Sequence, residues 1–249
     1  MLRNACCPIQ IFQKCQIMDP LYLWINLATV FFPFILSFNR IGHFYQRWKP
    51  VSLSILIMSA CIISWDIWFA HTGVWGFNSA YLLGYHFFHL PLEEWLFFVC
   101  IPYAFMFLYD QLIIINVPNY FIKIQHVLDY LCIGIALLFL WAGFGKLYTT
   151  TVATLVIICT VLIIHINPPN RGIFYMSYLL VLLPFILTNG ALTGSFTPEP
   201  IVWYNNAENL GVRLLTIPIE DFLYYLLMFE ICYLAYEQIK KATSMGNLT

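Results

Sequence analysis

The chain has 249 residues, of which 61% are hydrophobic and 9% are charged, and its formal net charge is −1. Soluble globular domains contain about 45–50% apolar and about 25% charged residues, so this composition excludes an ordinary soluble domain. The scattered Lys and Arg residues offer no basic face, which argues against nucleic-acid binding. The sequence therefore predicts an all-α, polytopic membrane protein.

Residues 1–18 form a mixed polar and apolar tail. They lack the long apolar core and cleavage site of a secretory signal peptide, so we expect an uncleaved tail. Its adjacent Cys6 and Cys7 are a weak signal for acylation. The rest of the chain contains apolar runs close to the ~20 residues that span a bilayer. About seven transmembrane helices are predicted, at 21–38, 50–70, 91–115, 127–145, 150–166, 173–192 and 214–239.

A short acidic motif occurs twice, at an offset of 127 positions (218 − 91). Pro91-Leu92-Glu93-Glu94 opens the third apolar run, and Pro218-Ile219-Glu220-Asp221 lies at the head of the last one. Copies four spans apart have the same orientation, so we expect two parallel three-helix repeats joined by a connector helix. The same offset relates further pairs: Phe77-Asn78 and Tyr204-Asn205, Ala80 and Ala207, Gly84 and Gly211, Tyr109-Asp110 and Tyr236-Glu237.

The repeat predicts how the chain is divided. A tail (1–18) precedes a single membrane domain (19–249), in which repeat one covers about 20–115, the connector about 116–146 and repeat two about 147–240. Asp66 and Asn189 are then rough counterparts in the two repeats.

Positive charges predict the orientation of the chain. The loops 39–49, 116–126 and 167–172, together with the C-terminal tail, hold seven Lys and Arg residues, and the other side holds four. This excess predicts that the N-terminus lies outside and the C-terminus lies in the cytoplasm. Both acidic motifs then begin their helices from the outer side.

The carboxylates of the two motifs have two interpretations. Proline followed by acids in the first turn is an ordinary way to begin a helix, because the acids favour the helix dipole. Alternatively, a parallel repeat brings Glu93, Glu94, Glu220 and Asp221 to one side, where crowding and desolvation favour a protonated acid beside an ionised base. The aromatic loops 71–89 and 193–212 would wall such a site, and ring faces stabilise a cation. These properties suit the protonation of an alkene.

Other patterns give weaker signals. The eight cysteines include no C-x-x-C pair and indicate buried apolar side chains, and the six histidines form no di-iron box, so we predict no metal site. No dinucleotide fingerprint occurs, and we predict no cofactor. The last span has no internal lysine for a retinal Schiff base. Asp110 and Glu237 are predicted to be solvated interface charges.

The duplicated acidic motif, Trp65-Asp66, the Gly73–Asn78 loop and Asn189-Gly190 together resemble the membrane-integral lycopene cyclases. This family comprises two homologous small polypeptides in some bacteria and fused forms elsewhere, including archaea and the cyclase domain of fungal bifunctional enzymes. The resemblance covers roughly residues 20–240. It implies a redox-neutral isomerase, an intramolecular lyase without flavin, that cyclises the ψ-ends of lycopene to β-ionone rings and gives γ- and β-carotene.

The resemblance also implies the site. The acid and base would come from Glu93, Glu94, Glu220, Asp221 and Asp66, with acid and base not distinguished. The substrate would contact Trp65, Trp75, Phe77, Asn78, Asn189, Trp203, Tyr204 and Asn205. We expect lycopene and other carotenoids, the lipid bilayer and other carotenoid-biosynthesis enzymes as partners, in a bacterial inner membrane. The alternatives are a carotenoid hydratase, a cyclase of longer carotenoids, or a seven-span transporter or receptor.

Overall fold

The computed structural model describes residues 20–246, so the predicted tail with Cys6 and Cys7 lies outside the described residues. Across this range the chain forms seven α-helices, which confirms the predicted all-α fold class. Their bounds are α1 Leu21–Leu36, α2 Trp48–Thr72, α3 Leu92–Ile114, α4 Gln125–Ala142, α5 Leu147–Ile166, α6 Arg171–Leu192 and α7 Glu220–Gly246.

The helices have the length and composition of a membrane protein. Five stretches of the described chain are long and apolar enough to cross a bilayer, namely α3, α4, α5, α6 and Phe44–Thr72, which joins a short 3-10 turn to α2. Helix α1 is apolar but has only 16 residues, and α7 has 27 residues with acidic side chains in its first turn. The protein is therefore a polytopic membrane protein.

Short strands connect the helices near one end of the bundle. Strand β1 (Trp75–Phe77) pairs with β4 (Val202–Tyr204), and two hairpins pair β2 (His86–Phe87) with β3 (Leu90–Pro91) and β5 (Arg213–Leu214) with β6 (Ile217–Pro218). All three pairs are antiparallel.

The two hairpins determine where α3 and α7 begin. The predicted start of the last helix at Leu214 was wrong, because Leu214 pairs with Ile217 in a strand and α7 begins only at Glu220. Helix α3 begins at Leu92, one residue after the predicted 91, and the acids of both motifs lie in the first turns of their helices. Pro91 and Pro218 each end a strand, opposite His86 and Arg213, and the helix begins beyond them.

The contacts of the β1–β4 pair repeat at the offset found in the sequence. The amide of Asn78 donates to the carbonyl of Ile201 at 2.8 Å, and the amide of Asn205 donates to the carbonyl of Val74 at 2.8 Å. Each bond is the counterpart of the other after a shift of 127 positions (205 − 78 and 201 − 74). At the centre of the pair Gly76 faces its own counterpart, Trp203, so a local two-fold axis passes between them.

The same reciprocity occurs at the other end of α3 and α7. Tyr109 donates to Glu237 at 2.8 Å, and Tyr236 donates to Asp110 at 3.1 Å, while the Arg47 Nε lies 2.8 Å from Asp110. The prediction that Asp110 and Glu237 are solvated was wrong, since they are only 3% and 4% exposed. Reciprocal tyrosine hydrogen bonds allow both carboxyl groups to be buried between the helices.

Candidate active site

Three carboxyl groups face one small cavity between the two halves of the bundle. They are Asp66 near the end of α2, Glu94 in the first turn of α3 and Asp221 in the first turn of α7. The cavity has a volume of about 40 Å³, which accommodates a few water molecules. A hydrocarbon ring could therefore enter only if side chains of the wall move. The other wall residues are Tyr22, Trp75, Phe77, Phe97, Tyr148, Asn189, Leu192, Val202, Tyr204, Tyr224 and Tyr225.

The adjacent acids of each motif point in different directions. Consecutive residues of an α-helix are rotated by about 100°, so only one of each pair can face the cavity. Glu93 instead accepts the amide N–H of Leu83 at 2.6 Å. Glu220 accepts the amide N–H of Leu210 at 2.6 Å and the hydroxyl of Thr149 at 2.6 Å. Both side chains are fully buried and tie the preceding loop to the start of the helix.

Asp221 is surrounded by hydrogen-bond donors. It accepts from Tyr148 at 2.6 Å, from the amide of Asn189 at 2.7 Å and from Tyr204 at 3.0 Å. Three donors directed at one carboxyl group stabilise its ionised form. Burial, together with the neighbouring Asp221, raises the pKa of the Tyr204 hydroxyl well above its usual value, so this hydroxyl remains a donor.

Glu94 and Asp66 have fewer donors. Tyr22 donates to Glu94 at 2.5 Å. The Oδ2 atom of Asp66 is buried and has no hydrogen-bond partner among residues 20–246. Two carboxyl groups facing one desolvated cavity with this little compensation favour a state in which at least one of them holds a proton.

Aromatic rings enclose the three carboxyl groups. The rings of Tyr148 and Tyr204 are stacked at 5.9 Å, and Trp75 lies edge-on to Tyr148 at 5.2 Å. Tyr224 lies 6.2 Å from Trp75 on another side of the cavity. Such ring faces attract a cation that forms within the cavity.

The structure brings together only part of the predicted site. Of the predicted substrate contacts, Trp75, Phe77, Asn189 and Tyr204 line the cavity. Trp65 lies behind the wall, with its ring 5.4 Å from Tyr224. Trp203 is 43% exposed at the local axis. Asn78 and Asn205 accept the amide N–H groups of Ala80 and Ala207 and thus shape the two loops.

Several wall residues were not predicted. Tyr22 and Tyr148 occupy matching places near the starts of α1 and α5, at an offset of 126 (148 − 22), so a search for repeats in these first turns would have found them. Tyr224 and Tyr225 follow the second acidic motif after two intervening residues. Their spacing of three and four residues from Asp221 places them on the same side of α7.

Metal-binding side chains do not cluster in the described part of the chain. No group of three or more His, Cys, Asp or Glu residues between positions 20 and 246 could hold a metal ion.

Fold and site together define a polytopic membrane protein with an acidic, aromatic-walled cavity at the interface of two similar halves. The family model described as lycopene cyclase matches residues 19–112 and 145–239. These two segments cover most of the chain, so the protein belongs to the lycopene cyclase family. Comparisons with curated proteins and with solved structures found no significant match.

Proposed function

We propose that the protein is a lycopene β-cyclase that converts the linear ψ-ends of lycopene to β-ionone rings and gives γ- and then β-carotene. The observation that carries this proposal is the unequal environment of the three carboxyl groups in one aromatic cavity. Asp221 accepts three hydrogen bonds, whereas Glu94 accepts one from Tyr22 and the Oδ2 atom of Asp66 accepts none from residues 20–246. A proton donor and a proton acceptor are thereby held on different sides of one small space.

The first step is protonation of the terminal alkene of the ψ-end. The Asp66–Glu94 pair supplies the proton, because these two carboxyl groups have fewer hydrogen-bond donors than Asp221, the third carboxyl group of the cavity. Protonation gives a tertiary carbocation. The π electrons of the internal alkene then form the new carbon–carbon bond of a six-membered ring, and the positive charge moves to a ring carbon.

The second step is removal of a ring proton. The ionised Asp221 takes this proton, and the electrons of the broken C–H bond form the ring double bond. Between the two steps the rings of Trp75, Tyr148 and Tyr204 stabilise the cation and exclude water, which would otherwise trap it. One proton enters the substrate and one leaves it, so the product is an isomer of the substrate and no electrons are exchanged. The proton on Asp221 returns to the Asp66–Glu94 pair before the next turnover.

Glu93 and Glu220 act as positioning residues in this proposal. Each accepts an N–H from the loop that precedes its helix and so orients the first turn that carries Glu94 or Asp221. Trp65, Trp203, Asn78 and Asn205 support the wall and the loops.

The cellular context follows from the same proposal. A cyclase of this kind lies in the cell membrane, with its N-terminus outside, its C-terminus in the cytoplasm and its cavity near the outer side. It takes lycopene from the bilayer and from other carotenoid-biosynthesis enzymes. The proposed pairing of repeat one (about 20–115) with repeat two (about 147–240) is supported by the reciprocal contacts across the axis.

The proposal is tested by producing the chain in bacteria that accumulate lycopene and analysing the pigments by chromatography and mass spectrometry. We expect products with the mass of lycopene and the absorption spectra of monocyclic and bicyclic carotenoids. Asp221→Asn is the matched control and should leave most of the lycopene linear. Unchanged lycopene in cells whose membranes contain the wild-type protein would contradict the proposal, and products heavier by one water would indicate a hydratase.

A further inference from the structure

A second, larger space lies beside the acidic cavity. It is an apolar groove of about 470 Å³ between α1, α3, α6 and α7, and we refer to it as the lateral groove. Its inner wall includes Phe105, Phe185 and Phe229, which are 3% exposed or less. Its rim includes Phe32, which is 68% exposed, so the groove opens toward the surface that faces lipid.

The lateral groove is lined mainly by apolar side chains, and the Tyr225 hydroxyl, at its border with the acidic cavity, is buried without a hydrogen-bond partner among residues 20–246. Its two threonines, Thr29 and Thr188, donate their hydroxyls to carbonyl groups of their own helices, at 2.9 Å to Ile25 and 3.0 Å to Pro184. Pro33 of α1 and Pro184 of α6 line opposite sides of the groove, and proline inside a helix removes a backbone hydrogen bond and bends it. The lining of the groove therefore suits an apolar hydrocarbon chain.

Tyr225 separates the lateral groove from the acidic cavity, because its side chain lines both. On the cavity side its ring lies 5.9 Å from Phe97, and on the groove side it lies 4.1 Å from Phe185. From Glu94 in the cavity to Leu108 in the groove, α3 rises by about 20 Å, which is most of the ~30 Å hydrocarbon core of a bilayer. An elongated hydrocarbon could thus have one end in the cavity and its chain in the groove.

The corresponding place on the other side of the two-fold axis is closed. There α2 packs along α7, with Ser54 and Met58 fully buried and the Cys232 thiol 4.0 Å from the carbonyl of Ser54. Among residues 20–246 the two halves are therefore unequal in packing, because α2 fills on one side the place that the lateral groove leaves open on the other.

We infer that the lateral groove binds the polyene chain of the carotenoid and admits one end of it past Tyr225 into the acidic cavity. This inference rests on the proposed function for the identity of the hydrocarbon. The chain enters sideways from the bilayer, which avoids transferring a hydrocarbon through water. Since the opposite side is closed, one end is cyclised in each binding event, and the molecule must leave and return reversed for the second ring.

The test introduces a bulky side chain into the groove and measures the carotenoid that stays bound to the purified protein, in addition to the product. Ala28 and Ala104 line the groove, and Ala28 is exposed, so Ala28→Trp can be accommodated without disturbing the core. Ala60→Trp is the matched control, because Ala60 is exposed on α2 away from the groove. Each variant is purified in detergent from lycopene-accumulating cells, and the carotenoid absorbance per protein is compared with that of Asp221→Asn, which should retain uncyclised lycopene.

We expect Ala28→Trp and Ala104→Trp to retain about tenfold less pigment than Ala60→Trp, since displacing as few as two buried methylene groups has an effect of this size. Equal pigment in all variants, no pigment in the wild type, or loss of phospholipid instead of carotenoid would overturn the inference. Pigment that is bound in the wild type and lost in Ala28→Trp, without any ring formation, would support the groove and refute the proposed cyclisation. Normal ring formation by both groove variants would refute the binding of the chain in the groove and leave the proposed cyclisation intact.

Discussion

The two halves of the molecule place similar backbones around the acidic cavity but surround their carboxyl groups differently. In the N-terminal half Glu94 is accompanied by Tyr22, Asp66 and Phe77. In the C-terminal half the corresponding residues around Asp221 are Tyr148, Asn189 and Tyr204. Two exchanges, Asp66 for Asn189 and Phe77 for Tyr204, thus turn an acid-rich environment into a donor-rich one.

Under the proposed function, this difference gives the two copies of a duplicated structure two chemical roles. A symmetric pair of carboxyl groups would have equal affinity for a proton, and neither would be assigned as acid or base. Replacing a carboxyl group by an amide and adding a hydroxyl on one side favours ionisation there, while the other side favours protonation. The packing differs in the same way, because one half leaves the lateral groove open and the other fills it.

The largest expected effect comes from the two first-turn acids themselves. Glu94→Gln and Asp221→Asn should each slow ring formation by about 10²–10⁴-fold, the usual contribution of general acid–base catalysis. The two variants should differ in product. Glu94→Gln weakens protonation and leaves the ring type unchanged, whereas Asp221→Asn removes the proton acceptor, so the residual cation loses a different proton or captures water.

The measurement is the ring composition of the residual carotenoids. Glu237→Gln is the matched control, because Glu237 is a buried glutamate on the same helix as Asp221 but hydrogen-bonds to Tyr109 at the far end. If Glu94→Gln altered the ring type and Asp221→Asn did not, the two halves would have the opposite roles.

Much of this arrangement could be predicted from the sequence. The repeat of the acidic motif located the first turns of α3 and α7, and the offset of 127 positions matched Phe77 with Tyr204 and Glu94 with Asp221. What could not be predicted is which acid of each pair faces the cavity. That depends on the rotation of the helix, which is determined by the hairpins that delay the start of α7 to Glu220.

Buried polar pairs were equally hard to predict. Asp110 and Glu237 lie at the ends of apolar runs, where solvated charge is the common case. Their burial depends on tyrosines more than 100 positions away in the chain, as in the bond from Tyr109 to Glu237. The lateral groove likewise depends on the spacing of four helices, which local sequence patterns do not encode.

A smaller effect is expected from the two acids that face the loops. The Glu220 side chain accepts two hydrogen bonds and the Glu93 side chain accepts one, and leaving a buried donor without its partner costs about 1–3 kcal/mol. Glu220→Ala should therefore lower the free energy of unfolding more than Glu93→Ala does. Size-exclusion chromatography after heating in detergent would measure this difference, with Thr149→Ala as the partner control.

If Glu93 and Glu220 only position the first turns, their variants should lose stability but not catalytic rate. Because neither Glu93 nor Glu220 lines the cavity, the fraction of protein that stays folded should retain most of its rate of ring formation. A fully folded Glu220→Ala protein without activity would contradict this role and would indicate that Glu220 takes part in the reaction.

The smallest expected effect concerns the second exchange between the halves. Tyr204→Phe removes the longest of the three hydrogen bonds to Asp221, so we expect a loss of about tenfold in the rate, at the low end for a hydrogen bond to a charged group. The pKa of Tyr204 is raised by burial, so the wild-type enzyme should show no loss of this donor as the pH rises through the range in which exposed tyrosines ionise. Tyr81→Phe is a matched control in the loop outside the cavity.

The reciprocal variant, Phe77→Tyr, would bring a hydroxyl to the half that lacks one. If the comparison of the halves is correct, this hydroxyl donates toward Glu94, favours its ionised form and slows protonation, so the single variant is also slower than the wild type. Combining Phe77→Tyr with Tyr204→Phe should be worse than either change alone, because it reduces the difference between acid and base from both sides. Rates measured on lycopene-containing membranes would show this, and a double variant as fast as the wild type would contradict the assignment of separate roles to the two halves.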